Sequence, residues 1–211
     1  MSVSISQPNS PPLRAAQLPL DPWLLFAEWL HAAQSAVGGV EASAMTLATV
    51  DAAGRPSARV VMMRSYDQRG LCFYTHYESR KAQELAQNPY AAAVFWWHAL
   101  GRQIRCEGQV DILTPAESDT YFQSRPRGSR LSTWLSPQSQ VISNRERLEL
   151  EWQQLQNRYV EEDPPRPLNW GGYRLRPDSF EFWQQGPEPL HDRFRYTRQS
   201  ASEWLRERLA P

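Results

Sequence analysis

The sequence predicts an α+β fold, a barrel of antiparallel strands with helices inserted between them. Three observations carry that expectation. Strand-like apolar runs from Ala44 onward are separated by short turn signals, as in hairpins. Helical patterns are inserted among those runs. No G-x-G-x-x-G stretch supports a dinucleotide-binding parallel sheet.

The elements follow in order. Asp21-Pro22 combines an N-cap with proline at the first helical position, and Leu24, Leu25, Phe26, Trp29, Leu30 and Ala33 recur at helical spacing, giving a helix from about Pro22 to Ser35. Ala44 to Val50 and Ala58 to Ser65 form a hairpin around the Asp51–Pro56 turn, and Asp67–Gly70 turns into a strand from Leu71 to Thr75. Ser79 can cap a helix to about Gln87, ended by Asn88-Pro89. Ala91 to His98 and Gln103 to Leu113 are strands, and the Thr114–Glu117 capping box opens a helix to about Gln123. Asn144 to Glu161 is a charged helix with Leu148, Leu150, Trp152, Leu155 and Tyr159 as its buried face, terminated by the prolines after Asp163. Tyr173 to Arg176, Ser179 to Gln184, Arg193 to Thr197 and Glu203 to Leu209 are the late strands. Residues 1–20 read as a flexible N-terminal arm, with no basic-then-apolar signal pattern, and 21–211 as a single domain.

Composition narrows the function. The 23 basic and 23 acidic residues cancel, which argues against a broad nucleic-acid-binding face but leaves room for a local anion pocket. Cys72 and Cys106 are isolated, as expected of a reducing cytoplasm, and the four histidines lack metal-ligand spacing, so no metal is expected. No apolar run is long enough to span a membrane.

Several constellations could carry chemistry. Arg59 and Arg64 flank four apolar residues; on a continuous strand they face opposite ways, and either could equally be a strand-end residue reaching to water. Tyr74 and Thr75 end a strand, and Arg80-Lys81 open a helix soon after, where cations oppose the helix dipole unless an anion sits there; a solvated basic turn is the plainer account. Tyr121, Arg125 and Ser129 recur every four residues, although Pro126 argues against one continuous helix. Gln103, Gln138-Ser139 and Trp183 are uninformative alone. His191 and Asp192, adjacent on a strand, would face opposite ways and so would not pair as base and orienter.

The order and spacing of these pieces resemble one family over about Leu20 to Pro211. The landmarks are Arg59-Val-Val-Met-Met, Phe73-Tyr-Thr, Ser79-Arg-Lys-Ala, Tyr121-Phe-x-Ser-Arg-Pro-Arg, Gln138-Ser139, Trp170-Gly-Gly, Glu181-Phe-Trp-Gln and Leu190-His-Asp-Arg. The set resembles the pyridoxine/pyridoxamine 5′-phosphate oxidases, FMN enzymes of vitamin B6 metabolism. The resemblance implies an FMN-binding split β-barrel with peripheral helices, acting as a homodimer with FMN at the subunit interface. It implies FMN contacts at Arg59, Tyr74, Thr75, Arg80, Lys81, Gln103, Gln138, Ser139, Trp183 and Arg193. Arg64, Tyr121, Arg125 and Ser129 would hold the substrate phosphate, and His191, as the catalytic residue, would lie near the pyridine ring. The implied reaction moves a hydride from the substrate's C4′ to flavin N5, with O2 as acceptor and hydrogen peroxide as product, giving pyridoxal 5′-phosphate.

Departures from the family pattern cluster on the substrate side. Arg64 stands where the family usually has lysine, Pro189 where it has arginine, and the N-terminal Arg-x-x-Tyr lid motif has no counterpart, Arg14 being the only arginine there. Two alternatives therefore accompany the oxidase: an FMN oxidoreductase acting on another planar substrate, as phenazine-biosynthesis relatives do, or a protein that binds FMN or pyridoxal phosphate without turnover.

Overall fold

The computed structural model describes residues 11–135, 137–187 and 189–211. The described elements are six helices and nine strands: α1 (Pro22–Val37), α2 (Gly39–Ala42), β1 (Ala44–Val50), β2 (Pro56–Met62), β3 (Ser65–Asp67), β4 (Gly70–His76), α3 (Arg80–Gln87), β5 (Tyr90–Trp97), β6 (Arg102–Ile112), α4 (Pro115–Ser124), α5 (Arg127–Leu135), α6 (Arg145–Arg158), β7 (Trp170–Gln184), β8 (Asp192–Arg198) and β9 (Trp204–Arg208). All strand pairs are antiparallel, in the order β2-β1-β5-β6-β7-β4-β3, with β8 on β7 and β9 on β8. The antiparallel sheet curls into a half-barrel, in keeping with the split barrel expected. No described helix is long and apolar enough to cross a membrane.

The long strand β7 organises this topology. It pairs with β6 from Tyr173 to Gln184. With its remaining hydrogen-bonding edge it holds β4 over Trp170–Leu175 and β8 over Ser179–Gln184. The sheet divides where those partners change, at Arg176–Asp178. The sequence places a break at the same point, because Pro177 has no N–H for the ladder. The register slips between Glu107 and Gly108 instead of the strand ending. Gly108 allows the close approach: a Cβ there would sit 2.0 Å from the carbonyl oxygen of Arg176. The two late strands expected at Tyr173 and Ser179 are thus one bulged strand.

Helix α1 fills the concave side. The Asp21 carboxylate accepts the Trp23 N–H at 2.9 Å, and Gly38, at φ 87°, ends the helix two residues past the expected Ser35. Trp23 meets Phe180 edge-on at 4.9 Å, Phe26 meets Phe95 at 5.6 Å and Trp29 meets Phe182 at 5.4 Å. Burying each such ring is worth roughly 1.5–3 kcal/mol.

Two further expectations change, and one helix was not expected. The strand predicted over Ala58–Ser65 ends at Met62; Met63 donates its N–H to Ser43 and Arg64 to Cys72, so the chain turns before β3. The helix predicted over 144–161 spans 145–158 and buries none of its residues: Leu148, Trp152 and Leu155 are half-buried, and Leu150 is exposed. It lies at the periphery, where only part of its apolar stripe is covered, and Tyr159 beyond its end is the buried one. Helix α5 had no clear sequence signal.

Residues 1–10 of the expected arm lie outside the described residues. From Pro11 the segment is tied to the last strands. Asp192 accepts the Leu13 N–H at 2.7 Å, Gln184 donates to Pro11 O at 2.9 Å and Arg206 donates to Leu18 O at 2.5 Å.

Candidate active site

A cleft of about 520 Å³ opens between β2, β4, α3 and the loop after α5. Arg59, Arg64, Tyr74, Thr75, Arg80, Lys81, Gln138 and Ser139 all line it. Arg59 and Arg64 reach the same cleft because the strand breaks at Met63, which removes the alternation that would have sent them to opposite faces.

Cations dominate this cleft, and the fold keeps them in place. Lys81 is buried, and its ammonium donates to Thr75 Oγ1 at 3.1 Å and to Gln138 Oε1 at 3.0 Å. Burial, and then neighbouring Arg59, lower its pKa to about 8, with Glu84 acting in the opposite sense. Arg59 donates from Nη1 to Thr49 Oγ1 and from Nη2 to Ser57 Oγ, each at 2.5 Å. Arg80 and Lys81 open α3, where the free N–H groups and the helix dipole already favour an anion. Ser79 occupies the N-cap position without capping; its hydroxyl donates to His76 O at 2.7 Å.

A second group adjoins the first through Tyr74, whose ring stacks on Tyr121. Helix α4 ends at Ser124, and Arg125 is extended before Pro126, so Tyr121, Arg125 and Ser129 do not share one helix face. They are gathered by other means. Arg125 lies over the Trp170 ring at 4.8 Å and donates to Thr133 Oγ1 at 2.6 Å, and Thr133 donates to Ser129 O at 2.9 Å. Burial lowers the pKa of Arg125, Tyr121 opposes that, and the like charge of Arg64 lowers it again. Two guanidinium groups that repel one another are suited to sharing an anion.

The remaining predicted residues do not line the cleft. Gln103, Trp183 and Arg193 are direct cross-strand neighbours on β6, β7 and β8, so they form a row on one face of the sheet. His191 stands beside this row, its ring 4.8 Å from that of Trp183. Its Nδ1 accepts the Gly186 N–H at 3.2 Å, so neutral His191 carries its proton on Nε2. Gly186 is required there, since a Cβ would sit 2.0 Å from Leu190 O. Asp192 does not pair with His191; it holds Arg208 at 2.7 Å and the Leu13 N–H. Arg193 donates Nη2 to Glu181 at 2.9 Å while its buried Nε has no partner among the described residues.

Sequence reasoning missed Glu84, Thr133 and the role of Trp170. Glu84 had a signal, its i,i+4 spacing from Arg80. Thr133 lies in a helix that was not anticipated, and only the folded chain brings Trp170 under Arg125.

Two family models match the chain, one for pyridoxamine 5′-phosphate oxidase over residues 33–159 and one for the pyridoxine 5′-phosphate oxidase C-terminal dimerisation region over 170–211. A pyridoxine/pyridoxamine 5′-phosphate oxidase of Burkholderia thailandensis is 52% identical over 201 residues, covering 94% of this chain and 93% of that protein. One of Ectopseudomonas mendocina is 50% identical over 200 residues, with the same coverage. The crystal structure of PhzG from Burkholderia lata in complex with tetrahydrophenazine-1-carboxylic acid superposes with a TM-score of 0.89 at 33% identity, covering 98% of this chain and 100% of that one. An FMN-binding, pyridoxamine 5′-phosphate oxidase-related protein of Nostoc punctiforme gives a TM-score of 0.72 at 25% identity, covering 91% and 98%.

Proposed function

The chain belongs to the pyridoxamine 5′-phosphate oxidase family, and we propose that it is an FMN-dependent oxidase converting pyridoxamine or pyridoxine 5′-phosphate to pyridoxal 5′-phosphate, with O2 as acceptor and hydrogen peroxide as product. The observation that carries the reading is the pairing of two anion sites, the Arg59–Arg80–Lys81 cleft and the Arg64–Arg125 pair, across the Tyr74–Tyr121 stack. A phosphorylated cofactor beside a phosphorylated substrate needs two such sites.

The residues present suit FMN. Buried Lys81, its pKa depressed by desolvation and by Arg59, is the kind of cation a phosphate would stabilise. The guanidinium of Arg193 and the amide of Gln103 carry donors suited to a flat heterocycle laid against Trp183. The bound flavin would supply the two-electron acceptor. Arg59, Arg80 and Lys81 anchor its phosphate, Thr75, Gln138 and Ser139 complete the polar wall, and Tyr74 forms the side shared with the substrate. Arg64, Tyr121, Arg125 and Ser129 fix the substrate phosphate, with Trp170 and Thr133 holding the plane of the Arg125 guanidinium. His191 offers its Nε2–H to the substrate. The cleft and the Gln103–Trp183–Arg193 row would meet across a homodimer, the cleft of one copy facing the row of the other; the match to a dimerisation region over 170–211, which contains Trp183, His191 and Arg193, supports that arrangement. The buried free thiols of Cys72 and Cys106 fit a cytoplasmic enzyme.

Pro189 favours a second reading. A proline in the loop before His191 provides neither charge nor side-chain donor over the substrate ring, and the PhzG likeness raises the prospect of a larger, unphosphorylated planar substrate. Oxygen uptake by the FMN-loaded protein tests the two. The oxidase reading expects pyridoxamine 5′-phosphate to be turned over with pyridoxal 5′-phosphate formed, and unphosphorylated pyridoxamine to be poor. Turnover of a reduced phenazine carboxylate, with none of the phosphorylated amine, would replace it by the second reading.

A further inference from the structure

An anion sits next to the proposed phosphate site, and that is unexpected. Glu84 is 4% exposed, on α3 one turn beyond Arg80. A carboxylate buried that deeply loses several kcal/mol of hydration unless it is fully paired, and a second anion beside it should be repelled.

The pairing of Glu84 is unusually complete. Oε2 accepts from Thr49 Oγ1 at 2.5 Å, from Ser57 Oγ at 2.6 Å and from Arg59 Nη2 at 3.2 Å. Oε1 accepts from Arg80 Nε at 2.8 Å. The same two hydroxyls accept from Arg59, so Thr49 and Ser57 relay the guanidinium to the carboxylate as well as touching it. One side chain thereby fastens β1, β2 and α3, the last two of which bring cations to the cleft. It takes the Nε edge of Arg80 and, among the described residues, leaves the terminal amino groups of that arginine uncommitted.

We propose that Glu84 is a positioning residue for the cofactor phosphate, orienting Arg59 and Arg80 and setting the charge of the site to suit a phosphate monoester. The charge count agrees: with Arg64 assigned to the substrate side, the three cations assigned to the cofactor phosphate, Arg59, Arg80 and Lys81, against one carboxylate leave two net positive charges, opposite a phosphate monoester that carries about two negative charges near neutral pH. The pKa of Glu84 agrees too. Burial alone would raise it, but the hydrogen bonds from Ser57, Thr49, Arg80 and Arg59 hold it down at about 2, so the carboxylate stays charged across the working pH range. All four partners donate, and to both oxygens at once, so a glutamine there would turn its NH2 toward either Arg80 or Arg59 and lose one of them. Only the charge restrains two guanidinium groups at once.

This inference rests on the flavin reading above, and the test separates the two. The affinities of FMN and of riboflavin, which lacks the phosphate, are measured by flavin fluorescence titration of the cofactor-stripped full chain, in wild type, Glu84→Gln and Ser57→Ala. If Glu84 positions the phosphate cations, FMN affinity falls about tenfold or more in Glu84→Gln while riboflavin affinity holds, and Ser57→Ala shows the same loss, smaller. A fall common to both flavins, or an unchanged FMN-to-riboflavin ratio in both variants, overturns the inference and leaves Glu84 a structural ion pair. Should Glu84→Gln fail to fold, the ratio in Ser57→Ala decides. A wild-type chain that binds riboflavin as well as FMN overturns the phosphate site itself, and with it this inference. A wild-type chain that prefers FMN, with variants that do so equally, overturns the role of Glu84 alone.

Discussion

The rings of Tyr74 and Tyr121 stack with centroids 3.8 Å apart and planes 21° from parallel. Tyr74 lies near the end of β4 and lines the cationic cleft; Tyr121 comes from α4, on the side proposed for the substrate. The stack is a shared wall, and desolvation of the Tyr74 hydroxyl, with smaller effects from neighbours, raises its pKa to about 12, so it stays neutral in any physiological medium.

Substitutions at Tyr121 should separate the two functions of that wall. Tyr121→Phe keeps the stack and removes the hydroxyl proposed to bond the substrate phosphate, an effect of about 1.5–3 kcal/mol where the partner is charged. KM for the phosphorylated amine should rise roughly tenfold or more with FMN affinity unchanged. Tyr121→Ala removes the wall, so FMN affinity should fall as well. Steady-state kinetics and flavin titration check both.

Lys81 should impose a pH dependence on cofactor binding. Desolvation first and Arg59 second bring its pKa to about 8. Below that pH the ammonium is already formed and meets the phosphate; above it, binding must first recover a proton. FMN affinity should be flat near pH 7 and weaken above pH 8, by up to about tenfold per pH unit. Lys81→Met should bind FMN weakly with no such slope, measured by titration from pH 7 to pH 10.

Glu84 predicts an acid effect of opposite sense. Its folded pKa, about 2, lies below the ordinary 4.5, so the stability it contributes is present above about 4.5 and is lost as pH falls toward 2. The thermal midpoint of Glu84→Gln should lie below that of wild type at pH 7, and the gap should narrow at pH 3.

Arg125 should not tolerate lysine. Its guanidinium lies over the Trp170 ring at 4.8 Å while bonded to Thr133, and a shorter lysine ammonium without the planar fork does not keep both contacts and the phosphate together. Arg125→Lys should raise KM for the phosphorylated substrate by about tenfold or more, with a smaller change in kcat, in steady-state assays.

Much of this site was legible in the sequence, and the limits have physical causes. Arg80-Lys81 at a helix start and the Thr114–Glu117 capping box are local signals, and both fall where the spacing placed them. That Arg59 and Arg64 share a cleft depended on a strand break at Met63, which their apolar surroundings concealed. The joining of Tyr173–Arg176 to Ser179–Gln184 depended on the bulge opposite Gly108, a property of the partner strand. The Glu84 carboxylate draws its partners from β1 and β2, more than twenty residues away in sequence, which no helical pattern encodes.

The most direct test of the account is anaerobic addition of pyridoxamine 5′-phosphate to the FMN-loaded protein while flavin absorbance is followed. The account predicts bleaching of the oxidised flavin, recovery when air is admitted and one pyridoxal 5′-phosphate formed per turnover, despite Pro189. A flavin that stays oxidised with the phosphorylated amine bound would contradict it.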